Sequence, residues 1–187
     1  MTGRSFVAVC WMIFSIYWII SATSVKATSE RQHMAGGALH LALLLLAALL
    51  MAASWLGWPA NSAPAAPSLV ADTLGDLLCV LGLAWAIWAR RTLAGNWSSS
   101  VAFKLGHELV VHGPYKYVRH PIYAGILLMV LGSAVAIGRA EAFIAAFAFV
   151  GSFWLKLRQE EALMMRHFPE GYPAYKRQVK ALVPFMW

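Results

Sequence analysis

Apolar stretches alternate with polar connections along this chain, and the longest of them fall at residues 6–20, 36–58, 69–89, 122–137 and 142–155. The second holds 23 residues with no ionisable side chain except His40. An α-helix needs about 20 apolar residues to cross a bilayer core. Segments apolar all round have no face to turn to water. The pattern predicts an all-α, polytopic integral membrane protein with about five transmembrane helices. The fourth run, 16 residues after Pro121, is short and needs its flanks to span.

The connections say how the runs are joined. Gly138-Arg139-Ala140-Glu141 is a tight turn, so the fourth and fifth helices form an antiparallel hairpin. Gly125, Gly132, Ala136 and the alanines of 142–148 are expected to let those two backbones approach closely. Beyond Leu155, Lys156 and Glu160 stand four apart, which predicts that the fifth helix runs straight out of the membrane with its polar residues on one side. Phe168, Tyr172 and Tyr175, followed by Lys176 and Arg177, predict a second, interfacial helix.

Composition agrees with the pattern: 60% hydrophobic, 12% charged, mean hydropathy +0.63. Fifteen Lys and Arg against eight Asp and Glu give a net charge of +7. Those bases fall between apolar runs rather than on one soluble face, which argues for anionic lipid headgroups and against nucleic acid as the partner. The connections 26–35 and 90–120 are cationic, 59–68 carries no charge, and the tail beyond Leu155 has six bases. The positive-inside bias then places the long loop and the C-terminus in the cytoplasm and the N-terminus outside, as expected in a bacterial inner membrane. Val25-Lys26-Ala27 has the small-residue spacing of a signal peptidase site, a rival reading of the first run that would invert this topology and that the charge bias disfavours. The same bias discounts Asn96-Trp97-Ser98 as a glycosylation site.

Isolated polar residues within the runs have ordinary explanations. Cys10 and Cys79 read as small buried hydrophobes. His40 reads as an interfacial or packing histidine, with no second ligand at metal spacing. Asp72 suits a first helical turn. Asp76, on the same face, suits a hydrogen bond to another helix, with a functional role as the alternative. Trp85, Trp88, Arg90 and Arg91 read as an aromatic belt and a basic edge.

Chemistry concentrates in HELVVHGPYKYVRHPIYAG, residues 107–125. Gly113-Pro114 is a turn, Tyr115 to Tyr117 mix aromatic and cationic character, and Pro121 opens a helix whose free N–H groups favour an anion. A ligand site and a loop that anchors to headgroups both fit these residue types. No G-x-G-x-x-G follows a strand, and no HExxH or helical histidine spacing suggests a metal.

The combination resembles the isoprenylcysteine carboxyl methyltransferase family and, more loosely, the phospholipid N-methyltransferases of the same superfamily. It consists of H-x-L-V-x-x-G-x-Y-x-x-x-R-H-P-x-Y-x-G at 107–125, an apolar hairpin, Glu160-Glu161, and F-x-x-x-Y-x-x-Y at Phe168, Tyr172 and Tyr175. It covers about the last 80 residues, which divides the chain into three N-terminal membrane helices, 1–90, and a methyltransferase core, 91–187. The resemblance implies an S-adenosylmethionine cofactor at the cytoplasmic face, held by His107, Glu108, Leu109, Val110, Tyr115, His120, Pro121, Ile122, Tyr123, Lys156 and Glu160. Arg119 and Glu160 would be the catalytic pair. Lys156 stands where relatives carry arginine, keeping the charge without the planar fork. The implied reaction transfers methyl to a lipophilic acceptor from the bilayer, a carboxylate or thiol, with a phospholipid amine as the alternative and no metal. A small transporter or assembly protein is the non-enzymatic alternative, although five spans without an internal repeat fit a transporter poorly.

Overall fold

The fold comes from a computed structural model that describes residues 3–23, 28–31, 37–58, 68–97, 102–104 and 109–184. Among the described residues six α-helices carry it: α1 Gly3–Ala22, α2 Gly37–Trp55, α3 Leu69–Leu93, α4 Pro121–Ile137, α5 Ala140–His167 and α6 Gly171–Gln178. A short antiparallel ribbon, β1 Thr28–Arg31 with β2 Ala102–Lys104, joins the connection after α1 to the loop after α3. Helices α1, α2, α3 and α5 are long and apolar enough to cross a membrane, and α4 has 17 residues. Ile13, Ile16 and Ile19 of α1, Leu45 and Leu49 of α2, and Ile144 and Phe147 of α5 point outward. Belts of aliphatic surface on several helices are stable facing lipid, and the protein is integral to the membrane.

Helix α4 lies at the centre, with α3 and α1 on one side and α5 and then α2 on the other. The α3–α4 contact is the closest. Glycines seven residues apart on each helix meet in antiparallel pairs: a Cβ added at Gly82 would lie 2.5 Å from the Gly125 carbonyl oxygen, and one at Gly132 would lie 2.6 Å from that of Gly75. Backbones so close permit Cα–H···O contacts and dispersion across the whole seam, which drives helix association where lipid removes the hydrophobic term. This corrects the expectation that Gly125 and Gly132 serve the α4–α5 hairpin. The tight turn at Gly138, in the left-handed region at φ 66°, does join α4 to α5, but the glycine stripe of α4 faces α3, because only α3 offers a matching stripe. Gly82→Ala is expected to cost about 3 kcal/mol by overpacking, read as a lower unfolding midpoint in lipid nanodiscs; Gly151→Ala, which meets open space, is the control.

Two polar residues behave differently from expectation. Arg90 does not mark a basic edge: it is 2% exposed, donates to the carbonyls of Ser21 (2.5 Å) and Ala94 (2.7 Å), and stacks over Trp97 at 4.7 Å. The reason is that the last carbonyls of α1 and α3 have no helical donors, and one guanidinium satisfies both ends. Asp76 Oδ1 is buried without a hydrogen-bond partner, so that oxygen does not make the interhelical bond expected of it; nothing in the structure explains this. Asn96 is buried beside the end of α3.

Arg90 ties the end of α1 to the end of α3, and the glycine pairs make α4 antiparallel to α3. The end of α3, the start of α4 and the end of α5 therefore gather on one face.

Candidate active site

On that face the chain enters α4 through a 3₁₀ turn at Gly113–Lys116, where Gly113 has φ 59° and packs against Thr92. Tyr115 is buried in a cluster with Ala89 and Ile122, and Val110 packs against it. Burial pushes the Tyr115, Tyr172 and Tyr175 phenols well above their ordinary range, so all three stay neutral hydroxyls. The Tyr175 hydroxyl donates to the Tyr115 carbonyl (2.6 Å), fastening α6 to the turn. Leu109 lies against the start of α6, where a Cβ on Gly171 would meet it at 3.3 Å.

After the turn, the tail returns across the start of α4. The Arg119 and His120 N–H groups donate to the carbonyls of Lys180 (2.8 Å) and Ala181 (3.0 Å). Side chains reinforce the seam. Arg119 donates through Nε (2.9 Å) and Nη2 (2.6 Å) to Glu161 Oε1, and through Nη1 to the Val179 carbonyl, while Lys176 Nζ donates to Glu161 Oε2 (2.6 Å). The Arg119 and Glu161 side chains are 8% and 5% exposed. Residue by residue, then, the structure turns all three guanidinium nitrogens of Arg119 toward Glu161 and the tail.

Glu160 points elsewhere, because neighbours on a helix are about 100° apart. It accepts a hydrogen bond from the Tyr123 hydroxyl (2.5 Å) and lies 3.7 Å from His120 Nδ1. His120 Nε2 is 3.3 Å from Glu161, so this ring bridges the two acids. Tyr123 is stacked between His120 (5.7 Å) and Phe153 (4.9 Å), with Lys156 Nζ 5.5 Å from its ring centroid. Pro121 and Ile122 are buried at the first turn of α4. The N–H groups of Ile122 and Tyr123 precede the first possible intrahelical acceptor.

Thus Tyr123, His120, Lys156 and Glu160 are brought into one cluster, and Tyr115, Val110 and Leu109 support the turn beside it. His107 and Glu108 lie outside the described residues. Glu161, Lys176 and Phe153 are parts of the assembly that residue types alone did not single out. The adjacent Glu160-Glu161 pair was the available signal, since two consecutive acids on a helix must face different neighbours. Among the described residues no group of three His, Cys, Asp or Glu is placed to hold a metal ion.

Comparison with known proteins matches this half of the chain. The family model described as phospholipid methyltransferase matches residues 70–171. The chain belongs to the phospholipid methyltransferase family. The protein-S-isoprenylcysteine O-methyltransferase of Schizosaccharomyces pombe is 31% identical over 84 residues, 43% of this chain and 34% of that one. The nickel-cobalt-cadmium resistance protein NccN of Alcaligenes xylosoxydans is 30% identical over 113 residues, 60% of this chain and 49% of that one. The chain spans between a third and a half of these relatives' length. A solved eukaryotic intramembrane Ras methyltransferase, isoprenylcysteine carboxyl methyltransferase, shares the fold at TM-score 0.57 and 20% identity, covering 82% of this chain and 55% of that one. The isoprenylcysteine carboxyl methyltransferase resemblance is upheld by these relatives.

Proposed function

We propose that the protein is a membrane-embedded, S-adenosylmethionine-dependent methyltransferase acting on a lipophilic acceptor that reaches the site from the bilayer. The observation that carries it is the Tyr123–Glu160 contact, which closes the start of α4 onto the stem of α5. The donor set fits the charged end of the cofactor: a carboxylate at Glu160 for its ammonium, and the Lys156 cation and the first-turn amides of α4 for its carboxylate. When bound, the cofactor supplies a methyl group on a sulfonium. What this chain's residues do is bind and orient. Lys156 and Glu160, one turn apart, grip opposite charges, and Phe153 and Ile122 exclude water below them. No side chain has to act as nucleophile.

Arg119 acts in this reading as a positioning residue, holding α5, α6 and the tail against α4 through Glu161. His107 and Glu108, by the resemblance, belong to the cofactor's binding loop. The acceptor is a carboxylate or a thiol; a phospholipid amine is the second reading, favoured by the description of the matching family. The site faces the cytoplasm, with the N-terminus outside, on the distribution of bases.

The deciding experiment is thermal unfolding of the purified protein in nanodiscs with and without S-adenosylmethionine. At a hundred times the dissociation constant, binding to the folded state alone stabilises by about 2.7 kcal/mol. No shift at saturating cofactor would overturn the assignment.

A further inference from the structure

His40, in the first turn of α2, is held by Ser152 of α5 in a way that decides where its ring proton sits. Ser152 is fully buried. His40 Nδ1 lies 2.9 Å from the Ser152 carbonyl and 2.8 Å from Ser152 Oγ, and Oγ lies 3.1 Å from the His40 carbonyl. A carbonyl only accepts, so the contact to the Ser152 carbonyl is a hydrogen bond when Nδ1 carries the proton. The serine hydroxyl in turn donates to the His40 carbonyl. In the neutral ring the Nε2 lone pair is then left free, and among the described residues Nε2 has no hydrogen-bond partner. This is more than packing requires, because a histidine that only packed would not need its tautomer set by two contacts from one buried residue.

The position matters as much as the tautomer. Ser152, Lys156 and Glu160 follow one another at intervals of four along α5, on one face. The charges felt at His40 are those of Lys156 and Glu160. At the start of α4, the groups meeting Lys156 and Glu160 are the neutral Tyr123 hydroxyl and ring and, 3.7 Å from Glu160, the His120 ring. Through Ser152, His40 therefore stands one turn before Lys156 along α5, on the bilayer side of the cluster that would hold the cofactor.

We propose that His40 Nε2 is the proton acceptor for the methyl acceptor, and hence that the site is built for a group that carries a proton, a lipophilic thiol or amine, rather than for a carboxylate. This rests on the methyltransferase reading and narrows its substrate class. The step balances: the sulfur or nitrogen lone pair of the acceptor forms the bond to the methyl carbon, and the sulfonium–carbon bond breaks with its electron pair staying on sulfur. The acceptor's proton passes to Nε2. A carboxylate is already ionised at neutral pH and has no proton to give.

Two measurements on the full chain in nanodiscs test this. In ¹⁵N spectra of histidine-labelled protein, the signal absent from His40→Asn is expected to be that of an Nδ1–H tautomer; an Nε2–H tautomer overturns the proposal without any turnover being measured. Asparagine keeps a donor where Nδ1 stood and lacks the base, so the helix contact survives. The second measurement is label transfer from S-adenosylmethionine to dodecanethiol, dodecylamine and dodecanoate. In His40→Asn the ratio of thiol to carboxylate methylation should fall about 10²-fold near neutral pH. The deficit should shrink as pH rises through the thiol's own ionisation, because a thiolate needs no proton acceptor. Equal loss on all three probes, or wild-type transfer to dodecanoate alone, overturns the proposal and leaves methyl transfer standing. Failure of the wild type to bind the cofactor removes both.

Discussion

Arg119→Met should destabilise the folded protein by about 3–5 kcal/mol, the largest effect expected of any single change in the chain. The reason is the company the guanidinium keeps. Glu161 is 5% exposed, and removing Arg119 leaves its carboxylate with Lys176 and the His120 ring as its remaining partners, the first of them 41% exposed and screened by water. The same change frees the Val179 carbonyl from its Nη1 donor and loosens the tail that caps the start of α4. Desolvation of a buried charge left with only weaker compensation, rather than loss of a favourable pair, supplies most of the cost. Arg119→Met combined with Glu161→Leu removes both charges and should recover most of the stability. Chemical unfolding of the single and double variants in the same nanodiscs gives the coupling. Cofactor affinity separates the two roles Arg119 can have. If it only positions, the double variant binds S-adenosylmethionine within a few-fold of the wild type; if it touches the cofactor, the double variant is stable and does not bind.

How much of this was legible beforehand depends on how local each signal is. The start of α4 at Pro121, the turn at Gly138, the unbroken continuation of α5 past Leu155 and the presence of a helix after Phe168 were all read correctly, because each rests on residues within a turn or two of one another. Helix partners were not legible in that way. Gly75 and Gly82 share their spacing with Gly125 and Gly132, but short-loop reasoning assigned the α4 stripe to the neighbour in sequence, α5, instead of to the helix with the complementary stripe. Arg90 misled for a related reason. Beside two tryptophans it looks like an edge marker, and only the arrival of α1 supplies the carbonyl that draws it inside. The His40–Ser152 contact spans 112 residues and carries no motif. The site divides in the same way. The Tyr123, Lys156 and Glu160 positions came from resemblance and spacing, whereas the pairing of Arg119 with Glu161 rather than with Glu160 follows from the helical phase of two adjacent acids meeting a tail that crosses from the far end of the chain.

Glu160→Gln should weaken S-adenosylmethionine binding about a hundredfold while leaving the fold intact. Its side chain is 23% exposed and its bonding is to Tyr123, so the amide can still accept from the phenol and little stability depends on the charge. The cofactor's ammonium is another matter: a hydrogen bond to an ionised partner is worth about 1.5–3 kcal/mol, and 2.7 kcal/mol corresponds to about two decades in dissociation constant. Tyr123→Phe is the informative companion. It removes the donor that aims the carboxylate but keeps the ring between His120 and Phe153, and should cost about tenfold. Combined, the two changes should lose less than the sum of their separate effects, because the phenol acts through the acid it orients. Isothermal titration of the four proteins with S-adenosylmethionine gives the cycle. Additive losses would mean that Tyr123 meets the cofactor on its own account, and an unchanged affinity in Glu160→Gln would move the ammonium site away from the stem of α5 altogether.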